Sequence, residues 1–271
     1  MINNKNYIGL GTYGLNDREI ILNAFRAALE SGYKLIDTAA AYLNEMSIGK
    51  VLHEMNITRE NLFVQGKVWI TNMGFKEVQE ACKKSLKKLK LDYFDAYLIH
   101  WPVKPELDIQ TWLGLIELQK SGLVRYIGVS NFKADNIINI MRSGVKPSIN
   151  QIEIHPGFVD LETVKFCAEN NIDVQAYSPL GNGKILDNKI LNNIADAHGK
   201  TPAQVCLKWE LYKGFTPIPK SSKPEKIKEN INIFDFELAQ DELAAIDSLP
   251  FTGKLSLDFD EVVKLAGYSR Y

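Results

Sequence analysis

The sequence predicts a (β/α)8 barrel, the TIM-barrel architecture, and three observations carry that prediction. Short apolar runs alternate with amphipathic stretches along most of the 271 residues. These make eight strand–helix units spaced by roughly 30 residues, enough for one strand, one helix and two loops. Alternating units imply parallel strands, because each crossover must return across the sheet before the next strand begins. Eight parallel strands in a chain of this length suit a closed barrel built as a single domain. An open doubly wound sheet is the competing arrangement.

The units follow in order. YIGLGTYG reads as a strand and REIILNAFRAALESG as its helix; KLID is followed by NEMSIGKVLHEM, and NLFVQGKV by FKEVQEACKKSLKKL. DAYLIH precedes IQTWLGLIELQKSG, VRYIGVS precedes KADNIINIMRSG, and SINQIEI precedes LETVKFCAEN. DVQAYS leads into two helical stretches, the second starting at Thr201-Pro202, and FTPIP closes the series before PEKIKENINIF. Gly32, Gly122 and Gly144 follow helices, where a left-handed cap favours glycine. No linker, low-complexity segment or composition break interrupts residues 1–271, so one domain is expected. Its irregular tail, about residues 251–271, carries Phe251, Phe259, Tyr268 and Tyr271, and that aromatic content favours packing near the active-site rim.

Composition narrows the function. Apolar residues make up 45% and charged residues 24%, with a net charge of −1, which suits a folded protein with a sizeable core. That balance offers no basic surface for nucleic acid or an anionic membrane. Cys82, Cys167 and Cys206 are far apart and odd in number, which argues against a disulfide framework or a zinc site. The polar start MINNKN does not read as a signal peptide, and no apolar run reaches membrane-spanning length. A cytoplasmic globular protein is expected.

In such a barrel the chemistry belongs at the carboxyl ends of the strands. KLID ends at Asp37, with Tyr42 just beyond; FVQGK ends at Lys67, YLIH at His100, and IGVSN at Ser130 and Asn131. SINQ reaches Gln151, VQAYS ends at Tyr177 and Ser178, and TPIPKS ends at Lys220 and Ser221. Each has an ordinary explanation alone: Asp37 as a helix cap, Tyr42 as packing, Lys67 as a solvated charge, His100 as a satisfied core histidine. Their convergence on one rim favours a proton-transfer site made of an acid, a lysine, a phenol and an imidazole. A free tyrosine, with a pKa near 10, is about three units too weak an acid for easy exchange at neutral pH. Lys67, fixed by Asp37, is expected to stabilise the phenolate of Tyr42 and lower that pKa. His100 would then hydrogen-bond a substrate carbonyl oxygen or help relay the proton. Such a site protonates an oxygen that gains negative charge, as hydride addition to a carbonyl requires.

With those residues in place, the chain resembles the aldo-keto reductases, (β/α)8-barrel enzymes that use NADPH. GYKLIDTAAAYLNEMSIG is similar to the family's first signature, and LIHWP, VRYIGVSNF, INQIEIHP and QAYSPLG are similar to later blocks in the same order. IPKSSKPEKIKEN resembles its coenzyme-phosphate segment. The resemblance covers nearly the whole chain. It implies that Tyr42 is the general acid, with Asp37, Lys67 and His100 completing a tetrad. It also implies that Ser130, Asn131 and Gln151 hold the nicotinamide carboxamide, while Tyr177 stacks on the ring. Ser178 and Leu180 would line the pyrophosphate. Lys220, Ser221 and Lys226 would meet the adenosine 2′-phosphate, with Glu229 and Asn230 on the adenine. Position 226 is Lys where many members carry Arg, so the planar bidentate fork is lost and NADH stays open as a secondary coenzyme. The loop from Val103 to Ile109 is short, and the tail lacks the Arg-Gly-x-Asp-Pro-like stretch of bacterial members.

GLGTYG matches the G-x-G-x-x-G pattern of dinucleotide-binding turns, but Leu15, Asn16 and Asp17 separate Gly14 from the helix that would have to meet the pyrophosphate. The glycines are instead expected to let the first loop pass beneath the coenzyme, with Gly11 and Thr12 against it and Tyr13 facing the site. Tyr13, Trp69 and Trp101 are expected to form an aromatic pocket for a small carbonyl substrate. No tyrosine has a lysine four residues on, which removes the Y-x-x-x-K reading of a short-chain dehydrogenase. A regulatory, coenzyme-binding barrel like the potassium-channel β-subunits is the alternative function. A metal-dependent hydrolase is disfavoured by four scattered histidines (His53, His100, His155 and His198) without an H-x-H, so no metal is expected. The resemblance further implies a monomer.

Overall fold

The computed structural model describes residues 7–256 together with 261, 262 and 264. Eight parallel strands run in sequence order: β1 Gly9–Gly11, β2 Leu35–Asp37, β3 Phe63–Val68, β4 Phe94–Ile99, β5 Val124–Ser130, β6 Ile149–Glu153, β7 Asp173–Tyr177 and β8 Thr216–Ile218. The ring closes where the Gly11 N–H donates to the Pro219 carbonyl at 2.9 Å, so the sheet is a barrel and not an open doubly wound layer. The first eight helices are α1 Arg18–Glu30, α2 Glu45–Glu54, α3 Phe75–Leu89, α4 Pro105–Lys120, α5 Ala134–Met141, α6 Leu161–Glu169, α7 Lys189–His198 and α8 Pro202–Tyr212. α9 Pro224–Ile231 and α10 Gln240–Asp247 complete the described set.

Local sequence accounts for the boundaries. Asp17 caps α1 by accepting from the Glu19 and Ile20 N–H groups, and Asn188 caps α7 in the same way. Thr201 and Gln204 form a reciprocal capping box on α8, with Pro202 in its first turn. Most of the core lies between barrel and helices; a smaller cluster of Leu35, Phe63, Ala96, Leu98, Ile149 and Ile218 forms separately, with members from five of the strands.

The GLG of β1 answers to packing. A Cβ on Gly9 would run into the buried Leu35 side chain, so a larger residue there would force that side chain to move. Gly14 has φ +72° and turns the chain before the capping Asp17. The α1 N-terminus is thus occupied by a carboxylate, and this helix offers no phosphate site.

Two features lie beyond the predicted units. α10 has no strand before it and sits against the barrel's outer layer, where Glu242 meets His198 Nε2 at 2.9 Å and Asp247 accepts from Trp209 Nε1 at 2.9 Å. The tail begins by crossing the β6 end: Thr252 N donates to Gly157 O at 3.0 Å, and the Phe251 ring lies 5.7 Å from Phe158. Phe259, Tyr268 and Tyr271 lie outside the described residues. Among the described residues no helix is long and apolar enough to cross a membrane.

Candidate active site

Strand register sets the level of the site. Asp37 pairs with Gly11 on one side and Gln65 on the other, and Gln151 pairs with Ser130 and Gln175. Lys67 lies two residues beyond Gln65 on the same face of β3, as strand alternation requires. A short 3-10 turn over Ala40–Tyr42 follows β2 and returns the phenol of Tyr42 over the strand ends. Lys67 Nζ lies 2.7 and 2.6 Å from the two Asp37 carboxylate oxygens, 3.2 Å from Thr38 O and 3.3 Å from the Tyr42 hydroxyl. The His100 ring stands 5.7 Å from the Tyr42 ring and 5.2 Å from that of Trp69. Its Nδ1 is buried with no hydrogen-bond partner, a polar atom aimed at nothing the protein supplies. Asp37 makes no helix cap; its carboxylate is spent on Lys67, Gln65 and Gln151.

The electrostatics depart from the expected lowering of the phenol. Burial pushes the Tyr42 hydroxyl well above its ordinary value of 10, and the charge of Asp37 pushes it further in the same direction. The carboxylate that positions Lys67 thus also opposes its field at the phenol. Burial lowers Lys67, and Asp37 pulls it back. Burial, then Lys67, holds His100 well below 6.5. At neutral pH the site presents a protonated phenol and a neutral imidazole. Both are hydrogen-bond donors for an oxygen that accumulates negative charge.

The residues expected around a carboxamide are brought together. Ser130 Oγ donates to Gln151 O at 2.8 Å, and Asn131 Nδ2 reaches His100 O at 3.0 Å and Ser130 Oγ at 3.1 Å. Tyr177 donates its hydroxyl to Asn131 Oδ1 at 2.8 Å. Asn131 and Ser178 hold φ of +62° and +48°, left-handed turns immediately after β5 and β7. Ser178 Oγ bonds Asn182 Oδ1 at 3.3 Å, and Leu180 accepts from Gly183 N through its carbonyl at 2.8 Å.

The opposite end forms after β8. The Lys220 ammonium reaches across to Gly14, 3.8 Å from where a Cβ on that glycine would sit, while Gly11 borders the Lys220 stem. Ser221 Oγ accepts from Lys223 N at 3.1 Å. Lys226 pairs with Glu229 at 2.8 Å, and Glu229 also accepts from Thr201 Oγ1 at 3.0 Å; Asn230 is buried. An anion here competes with the Glu229 carboxylate for Lys226. Thr12 donates its hydroxyl to Asp37 O at 2.9 Å, buried and committed to the barrel.

Two of the three aromatic residues expected to form one pocket lie against the tetrad. Tyr13 is 65% exposed with its ring 5.2 Å from Tyr42, and Trp69 stands beside His100. Trp101 instead lines a cavity of about 470 Å³ with Val103, Asn131, Glu153, Phe158 and Lys254, and the Lys254 ammonium lies 4.3 Å from its ring centroid.

Sequence reasoning missed the residues beneath and beside the tetrad. Gln65 and Gln175 sit two positions before Lys67 and Tyr177, and strand parity alone points them into the barrel. Glu153 accepts from the Leu255 and Ser256 N–H groups at 2.7 and 3.2 Å, and from the Ser256 hydroxyl. Burial pushes its carboxyl up, but hydrogen bonds from His155, Ser256 and Leu255 outweigh that and hold it below its usual range. Ser256 Oγ lies 3.2 Å from the Tyr177 hydroxyl, so the start of the tail is fastened over this edge of the site.

The comparisons with known proteins agree with this geometry. The model of the Aldo/keto reductase family matches residues 7–250. Glyoxal reductase of Bacillus subtilis is 40% identical over 258 residues, covering 95% of this chain and 93% of that protein. Methylglyoxal reductase DkgA of Escherichia coli is 43% identical over 259 residues, covering 94% and 93%. Among solved structures, an aldo-keto reductase of Bombyx mori in complex with NADP superimposes with a TM-score of 0.85 at 34% identity, covering 96% of this chain and 93% of that one. A closed barrel, a buried lysine held between a carboxylate and a phenol, and likeness along nearly the whole length therefore lead to one assignment: the chain belongs to the aldo/keto reductase family of oxidoreductases.

Proposed function

We propose that the protein reduces aldehydes or ketones to alcohols with NADPH, and that Tyr42 supplies the proton. The observation that carries this reading is the buried Lys67, whose ammonium bridges both oxygens of Asp37 and the Tyr42 hydroxyl. The donor sets on the two sides of the rim fit the two ends of the coenzyme. Lys220, Ser221 and Lys226 offer two ammonium groups and a hydroxyl for a phosphate. Ser130, Asn131 and Gln151 offer the mixed donors and acceptors a carboxamide needs. Bound coenzyme would supply hydride from nicotinamide C4.

The protein's own part is to hold the carbonyl oxygen and protonate it. Tyr42, kept as the acid by burial, donates to the oxygen as negative charge develops, and an alkoxide is more basic than a phenolate. Lys67 stabilises the phenolate left behind, and neutral His100 offers a hydrogen bond that orients the carbonyl.

Purified protein should oxidise NADPH when given small aldehydes, ketones or dicarbonyls. Glyoxal and methylglyoxal are the first compounds to try, given the relatives' names. No turnover across a broad carbonyl panel, with coenzyme still bound, would favour a regulatory barrel. Lys226→Ala should weaken NADPH binding roughly tenfold, the scale of one charge-assisted hydrogen bond, while NADH binding changes little. Dissociation constants from coenzyme titration check this, and equal losses would place the 2′-phosphate elsewhere.

A further inference from the structure

Below the tetrad the barrel interior holds an unusual polar layer. Gln65, Gln151 and Gln175 come from β3, β6 and β7, and each is 2% exposed or less. Gln65 Nε2 donates to Asp37 Oδ1 at 2.7 Å and to Gln175 Oε1 at 2.8 Å, while Gln175 Nε2 returns a bond to Gln65 Oε1 at 3.0 Å. Gln151 Nε2 donates to the same two acceptors, Asp37 Oδ1 at 2.9 Å and Gln175 Oε1 at 3.0 Å.

The two ends of a glutamine amide have nearly the same size, so only its partners decide which way it faces. Here one carboxylate decides for all three. Asp37 accepts from Lys67 through both carboxylate oxygens and acts only as an acceptor here, so Gln65 and Gln151 both turn their NH2 groups toward it. Gln65 then has its carbonyl left for Gln175 Nε2, which fixes Gln175 with its own carbonyl toward Gln151. Both amide hydrogens of Gln151 are therefore spent inside the barrel, and Oε1 is what remains to meet a ligand. Reversing that amide would set its oxygen against two other acceptors and forfeit two buried hydrogen bonds.

We propose that Gln65 and Gln175 are positioning residues that lock the Gln151 amide with its carbonyl oxygen presented to the NH2 of the coenzyme carboxamide. The inference rests on the coenzyme contact proposed for Gln151. It makes a chemical distinction: a carboxamide can donate to Gln151 Oε1, whereas the acetyl group of the 3-acetylpyridine analogue, with methyl in place of NH2, cannot.

Dissociation constants for NADP+, its 3-acetylpyridine analogue and 2′,5′-ADP, read by quenching of protein fluorescence, test this. The unaltered protein should prefer NADP+ over the analogue. Gln175→Met, which removes one of the two acceptors holding Gln151, should shrink that preference about 5- to 10-fold, the scale of one buried hydrogen bond. Gln65→Met, which frees Gln175 to reverse, should shift it in the same direction. Affinity for 2′,5′-ADP, which has no carboxamide, should stay unchanged in both, and a merely structural role would not separate the two ligands. Unchanged discrimination in both variants, or no preference in the unaltered protein, would overturn the proposal. Should Gln175→Met also lose 2′,5′-ADP, Gln65→Met decides by the same criterion. Failure of the unaltered protein to bind 2′,5′-ADP or NADP+ would overturn the coenzyme reading itself, and the lock with it.

Discussion

Tyr42→Phe is expected to lower kcat for carbonyl reduction by about 10²- to 10⁴-fold, the range of general acid catalysis. Coenzyme affinity should stay within about twofold of the original, since no hydrogen bond of typical strength to the coenzyme is removed. The substitution deletes one hydroxyl and leaves the ring, so the edge contacts with Tyr13 and His100 at 5.2 and 5.7 Å survive. Lys67 keeps Asp37 and Thr38 O as partners, which makes general collapse of the site a poor explanation for lost activity. Steady-state rates beside a coenzyme titration make the check. Retained turnover would reject Tyr42 as the acid.

The direction of the Tyr42 shift adds a pH signature to this experiment. A phenol raised well above 10, first by burial and then by Asp37, stays protonated across the neutral range. Reduction uses the acid form, so this group should cause no loss of rate as pH rises toward 10. The reverse reaction needs the phenolate, so alcohol oxidation should keep accelerating over the same interval. His100, held well below 6.5 by burial and then Lys67, remains neutral throughout it. In Tyr42→Phe, the residual oxidation rate should lose its dependence on the phenol.

How much of this was legible depends on the kind of information each feature needs. The barrel was readable because its signal is local and repeated: an apolar run, a capped helix, a glycine exit. The meeting of Asp37, Tyr42, Lys67 and His100 followed from the barrel, which carries every strand end to one rim. The glutamine layer was not reached, although Gln65 and Gln175 share parity with Lys67 and Tyr177. Their contact depends on register between strands 110 residues apart, which no local pattern contains. The fastening of Ser256 to Glu153 has the same character, spanning 103 residues. The sign of the Tyr42 shift was misjudged for another reason. The sequence shows that a lysine and an aspartate are near the phenol, but not how far the fold withdraws the three groups from water, and burial is the larger effect. α10 escaped because the repeat supplies no strand to announce it, even though Ala239 N and the Glu242 carboxylate mark its start.

Substitutions at the Lys67–Asp37 pair separate what it does for the fold from what it does for chemistry. Lys67 has no exposed surface, and its ammonium contacts both carboxylate oxygens. Lys67→Met should leave Asp37 as a buried charge with only the Gln65 and Gln151 amides as donors, at a cost of about 3 kcal/mol. For a chain of this size that corresponds to a Tm lower by roughly 6–12 °C. Asp37→Asn should destabilise for the mirror reason, leaving a buried ammonium without its anion. The double variant removes both charges, and a buried pair replaced by neutral groups is often no less stable than the original. Its Tm should therefore recover above that of either single variant. Its kcat should not recover, staying at least about 10²-fold below the original, because no cation remains beside Tyr42 to stabilise the phenolate. Calorimetry on the four proteins gives the thermal cycle, and turnover with a reducible aldehyde gives the kinetic one. If the pair served only to fill the barrel, activity would return with stability in the double variant, and the place assigned to Lys67 beside the reacting proton would be wrong.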